Sequence, residues 1–456
     1  MRLSKKLLSY INLSKTKNIF YKKKIINTED FKNDVIQKAK IFKKKIMKGC
    51  VVSISSQNKY NYLVNLYAGN LNGYSLFPTT AESLKKIQQE KIEIHYHIRG
   101  NKITKISPIK KKTKTPCLIL KSSGSSGNKN YVYLSDSSLI YVAKNLNKKM
   151  SIGQIKNNCE LVFCPIDHAF GLGRIIALLN SKASFAMLDN YRYSEFYNCY
   201  QAFNCNSFST NAKILSNLIS INYLYFKKKI KKCMYVQTSS GFLPIKIRKK
   251  LIRMKINLFI NYGSTEAMRT TFLNCSKFPS KIHTEGKPFL GTKVKILKLN
   301  KKNKVGEILI KGKNLAIGYS DKKKWNKKFF NGWYRSGDLG YLDSNGFLSF
   351  KGRISDIINI NDKKISVDFI EESIKKIFKK NNIKILNLIE KKNNFYRKLY
   401  LFVEKKLDIH KMYVSLKKKG IDINFQDIIK IKKIPTNQNG KVDFNLLKKY
   451  IYEKRN

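Results

Sequence analysis

The sequence predicts an α/β protein: a large N-terminal α/β domain with parallel sheets and a β-rich subdomain, then a small, mobile C-terminal α+β lid domain. Three observations predict this class. The chain of 456 residues exceeds one ordinary hydrophobic core. Apolar strand-like runs alternate with helix-like segments over most of its length, and short strands with turn sequences replace them after residue 293. We therefore expect a core domain at 1–353, with its β-rich part at about 285–353, and a lid at 354–456.

The N-terminal third shows the alternation that is typical of parallel strands joined by crossover helices. Apolar positions recur at helical spacing between Asp30 and Lys48, with a heavily basic outer face. The further elements predicted there, in order, are a strand at Val51–Ile54, a helix at Tyr62–Ala68, a strand at Ser75–Pro78, a basic connector at 100–115 and an apolar strand at Cys117–Leu120.

A second alternating stretch runs from Glu160 to Asn261, with strands such as Leu161–Phe163 and Leu258–Ile260 that end in polar turns. From 293 to 348 short alternating strands take over, separated by turns such as Asp343–Gly346. After Arg353 strand and helix signals alternate again, which predicts a separate lid.

The net charge of +63 is a feature that often accompanies nucleic-acid or anionic-membrane binding. Here the cations are mostly Lys and occur in almost every segment, whereas a dedicated nucleic-acid reader favours clustered Arg. Abundant Ile, Asn, Tyr and Phe beside Lys indicate an A/T-rich genome as the source of much of this charge. We expect no specific nucleic-acid partner, but attraction for ATP, acidic carrier proteins and, non-specifically, RNA.

Cysteine usage and the apolar pattern indicate a cytoplasmic protein. The chain has eight Cys without a CxxC pair, which argues against a disulfide framework or a zinc site. The N-terminus begins like a signal peptide, but Lys15, Lys17 and Lys22 interrupt any apolar core. No uninterrupted apolar run approaches the length of a bilayer span, so we expect no transmembrane segment, and peripheral membrane contact stays open.

A Ser/Gly-rich loop after the apolar strand at 117–120 is suited to phosphate binding. It comprises Ser122, Ser123, Gly124, Ser125, Ser126, Gly127, Asn128 and Lys129. Gly permits close approach of backbone N–H groups, and Ser adds hydroxyl donors, so the loop can wrap the β- and γ-phosphates of a nucleotide. The Walker spacing is absent. Taken alone, the loop is equally compatible with a flexible linker.

Several further motifs follow in a fixed order. They are Phe163–Gly171, Asn261–Glu266, Trp333–Asp338, Lys351–Arg353 and Ile434–Lys441. Together with the Ser/Gly loop, this set resembles the adenylate-forming superfamily of acyl-CoA synthetases, luciferases and carrier-protein adenylation domains. The resemblance covers the chain from about Lys38 to Lys449. It implies ATP-dependent activation of a carboxylic acid to an acyl-AMP, with Mg²⁺, followed by transfer to the thiol of CoA or a phosphopantetheinyl carrier protein.

The resemblance also implies roles for individual residues. Lys441, Thr265 and His168 are the implied catalytic residues, and Glu266 is the implied Mg²⁺ ligand, a hard oxygen donor for a hard cation. Ser355 is the implied hinge. The implied ATP- and AMP-binding residues are the loop residues above except Asn128, together with Ser240, Gly241, Phe242, Asn261, Tyr262, Gly263, Ser264, Thr265, Asp338 and Arg353.

The proposed roles are specific. Tyr262 would stack on adenine, with Asn261 near its amino edge and Ser240 to Phe242 on the opposite side. Asp338 would accept hydrogen bonds from the ribose, and Arg353 would support it. His168 would line the acyl pocket, where many amino-acid-activating relatives carry an Asp, which argues against an α-amino acid substrate. The run from Tyr262 to Leu273 resembles ligases that act on fatty or other non-amino acyl groups, so such a group is favoured. Outside their motifs, these residues would be interpreted as ordinary core or turn side chains.

The chain departs from the family pattern at three places. Asn130 takes the position where the phosphate loop usually has Lys, and Lys129 lies one place earlier. Ser355 replaces the usual Asp or Lys at the hinge. Asp362 adds a side chain in the usually glycine-rich turn where pantetheine should pass, so thiol transfer is less firmly implied than adenylation. Two alternatives to the ligase remain: a catalytically decayed homologue that binds nucleotide or a partner, and a basic nucleic-acid-binding protein on this fold.

Overall fold

A computed structural model describes most of the chain. The described residues are 2–5, 17–22, 24–79, 83–109, 115, 117–122, 130–181, 183–188, 192–298, 304–360, 363–379, 381–392, 394–436 and 442–455. Two large sheets, a smaller antiparallel sheet and a C-terminal α+β region account for most of these residues. The predicted α/β fold class is confirmed.

The first large sheet has seven strands in the order β18-β8-β7-β4-β3-β5-β6. Their bounds are β3 Val51–Ser55, β4 Ser75–Pro78, β5 Tyr96–Arg99, β6 Lys102–Lys105, β7 Leu118–Ser122, β8 Asn130–Leu134 and β18 Gly318–Tyr319. β3 pairs in parallel with β4 and β5, and β4 with β7. The connector predicted at 100–115 is wrong at β6, which forms an antiparallel hairpin with β5. The largely solvent-accessible side chains of β6 gave no alternation from which a strand could be predicted.

The second large sheet has nine strands in the order β15-β14-β13-β12-β11-β9-β10-β1-β2. Their bounds are β1 Asn18–Tyr21, β2 Lys24–Asn27, β9 Cys159–Val162, β10 Ser184–Met187, β11 Ser207–Asn211, β12 Tyr235–Ser239, β13 Asn257–Tyr262, β14 Thr271–Asn274 and β15 Lys287–Pro288. Strands β10, β9, β11, β12 and β13 are parallel neighbours. The predicted crossover alternation is therefore present.

Helices cover the faces of these two sheets. Their bounds are α1 Thr28–Lys45, α2 Lys59–Asn72, α3 Leu84–Gln88, α4 Asp136–Met150, α5 Ala169–Leu179, α6 Tyr193–Ala202, α7 Ala212–Ile221, α8 Tyr223–Lys229 and α9 Ile245–Arg253. The predicted helix at Asp30–Lys48 corresponds to α1, which buries Phe31, Val35 and Phe42 on one face. It starts earlier because the Asn27 side chain accepts a hydrogen bond from the Asp30 N–H at 2.8 Å.

Side-chain alternation on the strands separates two hydrophobic cores. Leu161 faces a core shared with α6 to α9, whereas its neighbour Val162 faces a core to which both large sheets contribute. Helices α2, α4 and α5 contribute to the core between the two large sheets, which contains Val162. Every residue of α5 from Phe170 to Leu179 is buried. The N-terminus of α5 is therefore held rigidly between the sheets.

The β-rich subdomain is a five-stranded antiparallel sheet in the order β16-β17-β20-β19, with β21 beside β20. Its bounds are β16 Thr292–Lys298, β17 Gly306–Gly312, α10 Lys322–Asn326, β19 Phe329–Phe330, β20 Trp333–Leu342 and β21 Leu348–Arg353. Strand β18 leaves this region to pair with β8 in the first sheet.

The C-terminal region builds its own hydrophobic clusters, to which the described residues from Ile358 onward contribute. Its elements are β22 Ile357–Ile360, β23 Lys363–Ser366, α11 Val367–Ile377, β24 Ile383–Lys392, β25 Asn394–Val403, α12 Ile409–Lys417, β26 Asp427–Lys430 and α13 Phe444–Arg455. Among the described helices of the whole chain, none is both long and apolar enough to cross a membrane.

Candidate active site

The carboxyl ends of four parallel strands meet at one edge of the nine-stranded sheet. Register pairs Ser209 of β11 with Val162 of β9, and Thr238 of β12 with Ile260 of β13. The segments that leave these strands therefore lie side by side, as ligand-binding loops do in open α/β sheets. Three of the sequence motifs are among these segments: those around His168, Ser240–Phe242 and Tyr262–Glu266.

A tight turn follows β13. The Ser264 N–H donates to the Ala267 carbonyl oxygen at 3.1 Å, and the Ala267 N–H donates to Ser264 Oγ at 3.2 Å. A Cβ at Gly263 would lie 2.6 Å from the Arg269 backbone nitrogen, so this position requires glycine. The turn leaves Thr265 half-buried and Glu266 buried beside each other.

Tyr262, Asp338 and Arg353 come together although they are distant in sequence. The Tyr262 hydroxyl donates to Asp338 Oδ2 at 2.7 Å, and Arg353 Nε lies 3.3 Å from Asp338 Oδ1. Burial raises the pKa of the Asp338 carboxyl, while the Arg353 charge and the Tyr262 hydroxyl oppose that rise. Asp338, which is predicted to bind the ribose, thus lies next to Tyr262, which is predicted to stack on adenine, and next to Arg353.

An irregular stretch of β20 sets the position of Asp338. Glu307 Oε1 accepts from the Gly337 N–H at 3.2 Å, and the Asp338 N–H donates to Ser336 Oγ at 3.0 Å. Gly337 has a φ of 74°, a conformation that favours glycine. Glu307 also binds Arg335, whose Nε donates to Oε2 at 2.8 Å. The motif Trp333–Asp338 is thus held by a carboxylate that the sequence analysis did not identify.

Glu266 is oriented by a residue of the other large sheet. The Tyr319 hydroxyl donates to Glu266 Oε1 at 2.9 Å, and the Ala316 N–H donates to the Glu266 backbone carbonyl at 2.8 Å. Within the described residues no group of three or more His, Cys, Asp or Glu could hold a metal ion. Mg²⁺ in nucleotide sites typically takes one or two carboxylates plus substrate phosphates, so one oriented carboxylate fits it.

The segment after β12 presents an exposed aromatic ring. Phe242 is 53% exposed and stacks over the guanidinium of buried Arg248, with 5.1 Å to the ring centroid. Arg248 is fixed by Glu285, at 2.9 Å, and by backbone carbonyls. Ser240 and Gly241 both have positive φ, at 62° and 149°. Phe242 is thereby held at the sheet edge, where the sequence predicts one wall of the adenine site.

Asn261 is buried, and its amide is engaged within the protein. Gln237 Nε2 donates to its Oδ1 at 2.7 Å, and its Nδ2 donates to the Thr271 carbonyl at 3.2 Å. The structure therefore places Asn261 as a support for the end of β13. Its predicted adenine contact stays a prediction.

His168 is the residue that precedes α5, and its side chain is half-buried. Gly171 lets the helix pass close to the loop that connects it to β9, since a Cβ there would lie 2.1 Å from the Pro165 carbonyl oxygen. The motif Phe163–Gly171 therefore fixes how α5 begins. This motif lies beside the segment that follows the β13 turn, and its role in an acyl pocket stays a prediction.

Other predicted site residues lie partly outside the described residues. Ser122 ends β7 and pairs with Asn130 at the start of β8, so the phosphate loop joins two antiparallel strands. Ser123 to Lys129, Asp362 and Lys441 lie outside the described residues. The predicted hinge, Ser355, is exposed in a short 3₁₀ helix, Ile354–Asp356, between β21 and β22.

Sequence reasoning missed four residues around this site: Tyr319, Glu307, Arg248 and Arg269. Tyr319 and Glu307 orient predicted site residues from elements remote in sequence, whereas Arg248 follows Phe242 closely and packs on its ring. Arg269 follows the Glu266 motif by three positions and is 5% exposed, which is unusual for a charged side chain. The only sequence signal for Arg248 and Arg269 was proximity to a motif, and Lys and Arg are too frequent in this chain for that signal to be specific. Tyr319 and Glu307 are placed at the site by the fold alone.

Comparison with known proteins identifies relatives over part of the chain. An oxalate–CoA ligase from Saccharomyces cerevisiae is 28% identical over 289 residues, which cover 60% of this chain and 52% of that protein. A 2-succinylbenzoate–CoA ligase from Lactococcus lactis is 26% identical over 227 residues, or 50% of this chain and 48% of that protein. The chain thus spans about half the length of the curated relatives that it matches.

Solved structures share the fold over nearly the full chain. The O-succinylbenzoate coenzyme A synthetase of Bacillus subtilis in complex with AMP matches with a TM-score of 0.81 at 17% identity, covering 97% of this chain and 98% of that one. The same enzyme in complex with ATP and magnesium ion matches with a TM-score of 0.79 at 18% identity, covering 97% and 99%. The sequence profile of AMP-binding enzymes matches residues 19–320, and the chain therefore belongs to the AMP-binding enzyme family.

Proposed function

We propose that this protein uses ATP to convert a carboxylic acid into an acyl-AMP and then transfers the acyl group to the thiol of CoA. The observation that carries the proposal is the position of Asp338, which contacts both Tyr262 and Arg353 beside the turn that holds Glu266. This arrangement offers a flat ring for a base, a carboxylate for ribose hydroxyls and an acidic ligand for a nucleotide-bound cation.

The first half-reaction brings two anions together, so its transition state needs compensating positive charge. In our proposal the hydroxyls and N–H groups of the loop from Ser122 to Lys129 hold the β- and γ-phosphates, and Thr265 contacts the α-phosphate. Glu266 holds Mg²⁺, which neutralises phosphate charge when bound. Lys441 bridges the attacking carboxylate and the α-phosphate.

The second half-reaction requires the catalytic Lys to leave and a thiol to enter. We propose that residues 1–353 act as the core and 354–456 as the lid, with Ser355 as the pivot. The separate hydrophobic clusters of the C-terminal region support this division. We favour CoA over a carrier protein because the relatives described above are named CoA ligases.

The acid itself is less closely defined than the chemistry. The sequence favours a fatty or other non-amino acyl group. Two relatives are named for oxalate and 2-succinylbenzoate, each of which carries two carboxylates. These names support a small polar acid over a long fatty chain.

The full reaction tests the proposed function. Purified protein is incubated with ATP, Mg²⁺, CoA and a panel of fatty, aryl, dicarboxylic and amino acids, and AMP release and acyl-CoA are measured by mass spectrometry. We expect AMP and one class of acyl-CoA. ATP binding without AMP release for any acid would favour a decayed homologue. RNA binding with steep salt dependence and no AMP release would favour the nucleic-acid alternative.

Substituting Tyr262 should change how the affinity for AMP depends on pH, because Tyr262 contacts Asp338. The Tyr262 hydroxyl favours the charged carboxylate, so Tyr262→Phe should raise the pKa of Asp338 further. AMP binding needs the ionised carboxylate and is lost as pH falls through that pKa. We therefore expect AMP affinity, measured by calorimetry, to be about tenfold weaker and to begin its acid decline at a higher pH.

Tyr341→Phe is the matched control for this measurement, because Tyr341 lies on the same strand as Asp338 but its hydroxyl bonds Ser349. It should leave the pH dependence unchanged. An identical acid decline in Tyr262→Phe and the unaltered protein would exclude Asp338 as the titrating group.

The phosphate loop should bind ATP mainly through hydroxyls and N–H groups. We expect Ser125→Ala combined with Ser126→Ala to weaken ATP binding by about tenfold or more, since two donors to charged oxygens are lost. Lys129→Ala should have a smaller effect, because Lys129 is displaced from the usual Lys position. The idea of a shifted, less important Lys is wrong if Lys129→Ala alone abolishes ATP binding.

A further inference from the structure

Arg269 is a buried cation that packs against the first turn of α5. Its backbone φ is 47°, and its side chain is 5% exposed. The guanidinium stacks on the Phe170 ring, 5.0 Å from the centroid, and Nη2 donates to the Phe170 carbonyl oxygen at 2.9 Å. Its Nε is buried and has no hydrogen-bond partner among the described residues.

The carboxylate in the vicinity of Arg269 is already committed to another cation. Glu160 accepts from Arg174 Nε at 2.7 Å and from Arg174 Nη2, and the Tyr235 hydroxyl also donates to it. The described ion pairs include none for Arg269, whereas buried Arg174 and Arg248 each have one. One positive charge is therefore left over in this part of the core.

Arg269 remains charged at neutral pH in spite of its surroundings. The pKa of Arg269 is lowered to about 10, mainly by burial and secondarily by the charge of Arg174. A buried charge without a counter-ion costs stability, and such charges persist where an anion binds. The guanidinium thus needs an anionic partner that the described side chains do not supply.

The location of Arg269 indicates which anion this is. The residue lies three positions after Glu266, at the far side of the turn that follows β13. Its guanidinium packs on the first turns of α5, where a Cβ at Gly173 would lie 3.6 Å from Nη1. The Phe170 contact places the guanidinium beside the N-terminal turn of α5, and helix N-termini favour negative charge. The anion would therefore lie between the β13 turn and the residue His168, on the acyl side of the proposed site.

We propose that Arg269 binds a second carboxylate of the acid substrate, so that the protein acts on dicarboxylic acids. This inference rests on the proposed function, and it defines the substrate class within it. The first carboxylate meets the α-phosphate near Thr265 and Glu266, and the second meets Arg269. A guanidinium matches a carboxylate in shape and charge, which makes the contact specific as well as strong.

The test compares linear dicarboxylic acids, from oxalic to adipic acid, with their monomethyl esters. Each ester keeps one reacting carboxylate and the chain length but lacks the second charge. We measure acid-dependent exchange of labelled pyrophosphate into ATP, and the rise in Tm that each acid causes in the presence of AMP. The unaltered protein should prefer at least one diacid over its ester by about 30-fold.

Substitution of Arg269 assigns this preference to one side chain. Arg269→Met keeps most of the length and removes the charge, so it should lose the diacid preference while exchange with the monoester is retained. Arg269→Lys should restore part of the preference. Arg253→Met, which alters an exposed arginine at the end of α9, should behave as the unaltered protein does.

Distinct outcomes separate this inference from the proposed function. Equal exchange with a diacid and its ester in the unaltered protein overturns the inference and leaves the proposed ligase intact. Equal loss with both acids in a folded Arg269→Met protein also overturns it, because Arg269 would then bind the reacting carboxylate or a phosphate. Absence of exchange with every acid rejects the proposed function, and a diacid-dependent rise in Tm that Arg269→Met abolishes would still support the anion site. If Arg269→Met does not fold, the diacid and ester comparison on the unaltered protein decides alone.

Discussion

We expect Lys441→Ala to slow acyl-AMP formation by about 10³-fold or more, as loss of a charge partner in a transition state commonly does. Lys441 follows a polar loop near the end of the chain, far in sequence from the other proposed catalytic residues. A lid-borne ammonium bridges the carboxylate and the α-phosphate only while the lid is closed. It should therefore serve adenylation alone, and thioester formation from a supplied acyl-AMP should remain nearly intact.

Both half-reactions must be measured on the same variant protein. Lys433→Ala removes another exposed lysine from the preceding segment and should leave both rates unchanged. A comparable loss in the two half-reactions of Lys441→Ala would show that this residue supports the fold or the whole lid.

The second large effect is expected at Glu266. Glu266→Gln keeps the shape of the side chain but removes its charge, so exchange at low Mg²⁺ should fall by about 10²-fold and recover in part as Mg²⁺ is raised. Tyr319→Phe removes only the hydroxyl that orients the carboxylate, so its effect should be smaller, about threefold to tenfold.

The dependence on Mg²⁺ distinguishes a metal ligand from a structural carboxylate. A structural role would lower the rate equally at all Mg²⁺ concentrations and would lower Tm. Equal activity of Glu266→Gln and the unaltered protein at low Mg²⁺ would remove Glu266 from the proposed metal site.

Most of the fold could be predicted because the large sheets are regular. Strands such as β3 and β9 are buried along their whole length and consist mainly of apolar residues, and α1 repeats apolar residues at helical spacing. The strand that sequence reasoning missed, β6, lacks both signals. The periodic spacing of apolar residues reflects the burial of one face of an element. It therefore cannot identify a strand whose side chains remain largely accessible to solvent.

The candidate site could be predicted only where a motif is continuous in sequence. Tyr262, Asp338 and Arg353 were each assigned through a separate motif, but the contacts of Asp338 with the other two depend on how β13, β20 and β21 approach one another. Tyr319 orients Glu266 across 53 residues, and no local pattern records such a contact. Arg269 looked like one more cation in a basic chain, and only its burial and an Nε without a hydrogen-bond partner among the described residues distinguish it.

The central claim, that this chain adenylates a carboxylic acid, is tested most directly by carboxylate-dependent exchange of labelled pyrophosphate into ATP without any thiol present. This measurement reports the first half-reaction alone and does not depend on the identity of the acceptor. We predict exchange that requires both Mg²⁺ and an added acid, and that is lost in Lys441→Ala. A folded protein that binds ATP but shows no exchange with any fatty, aryl, dicarboxylic or amino acid would contradict the claim.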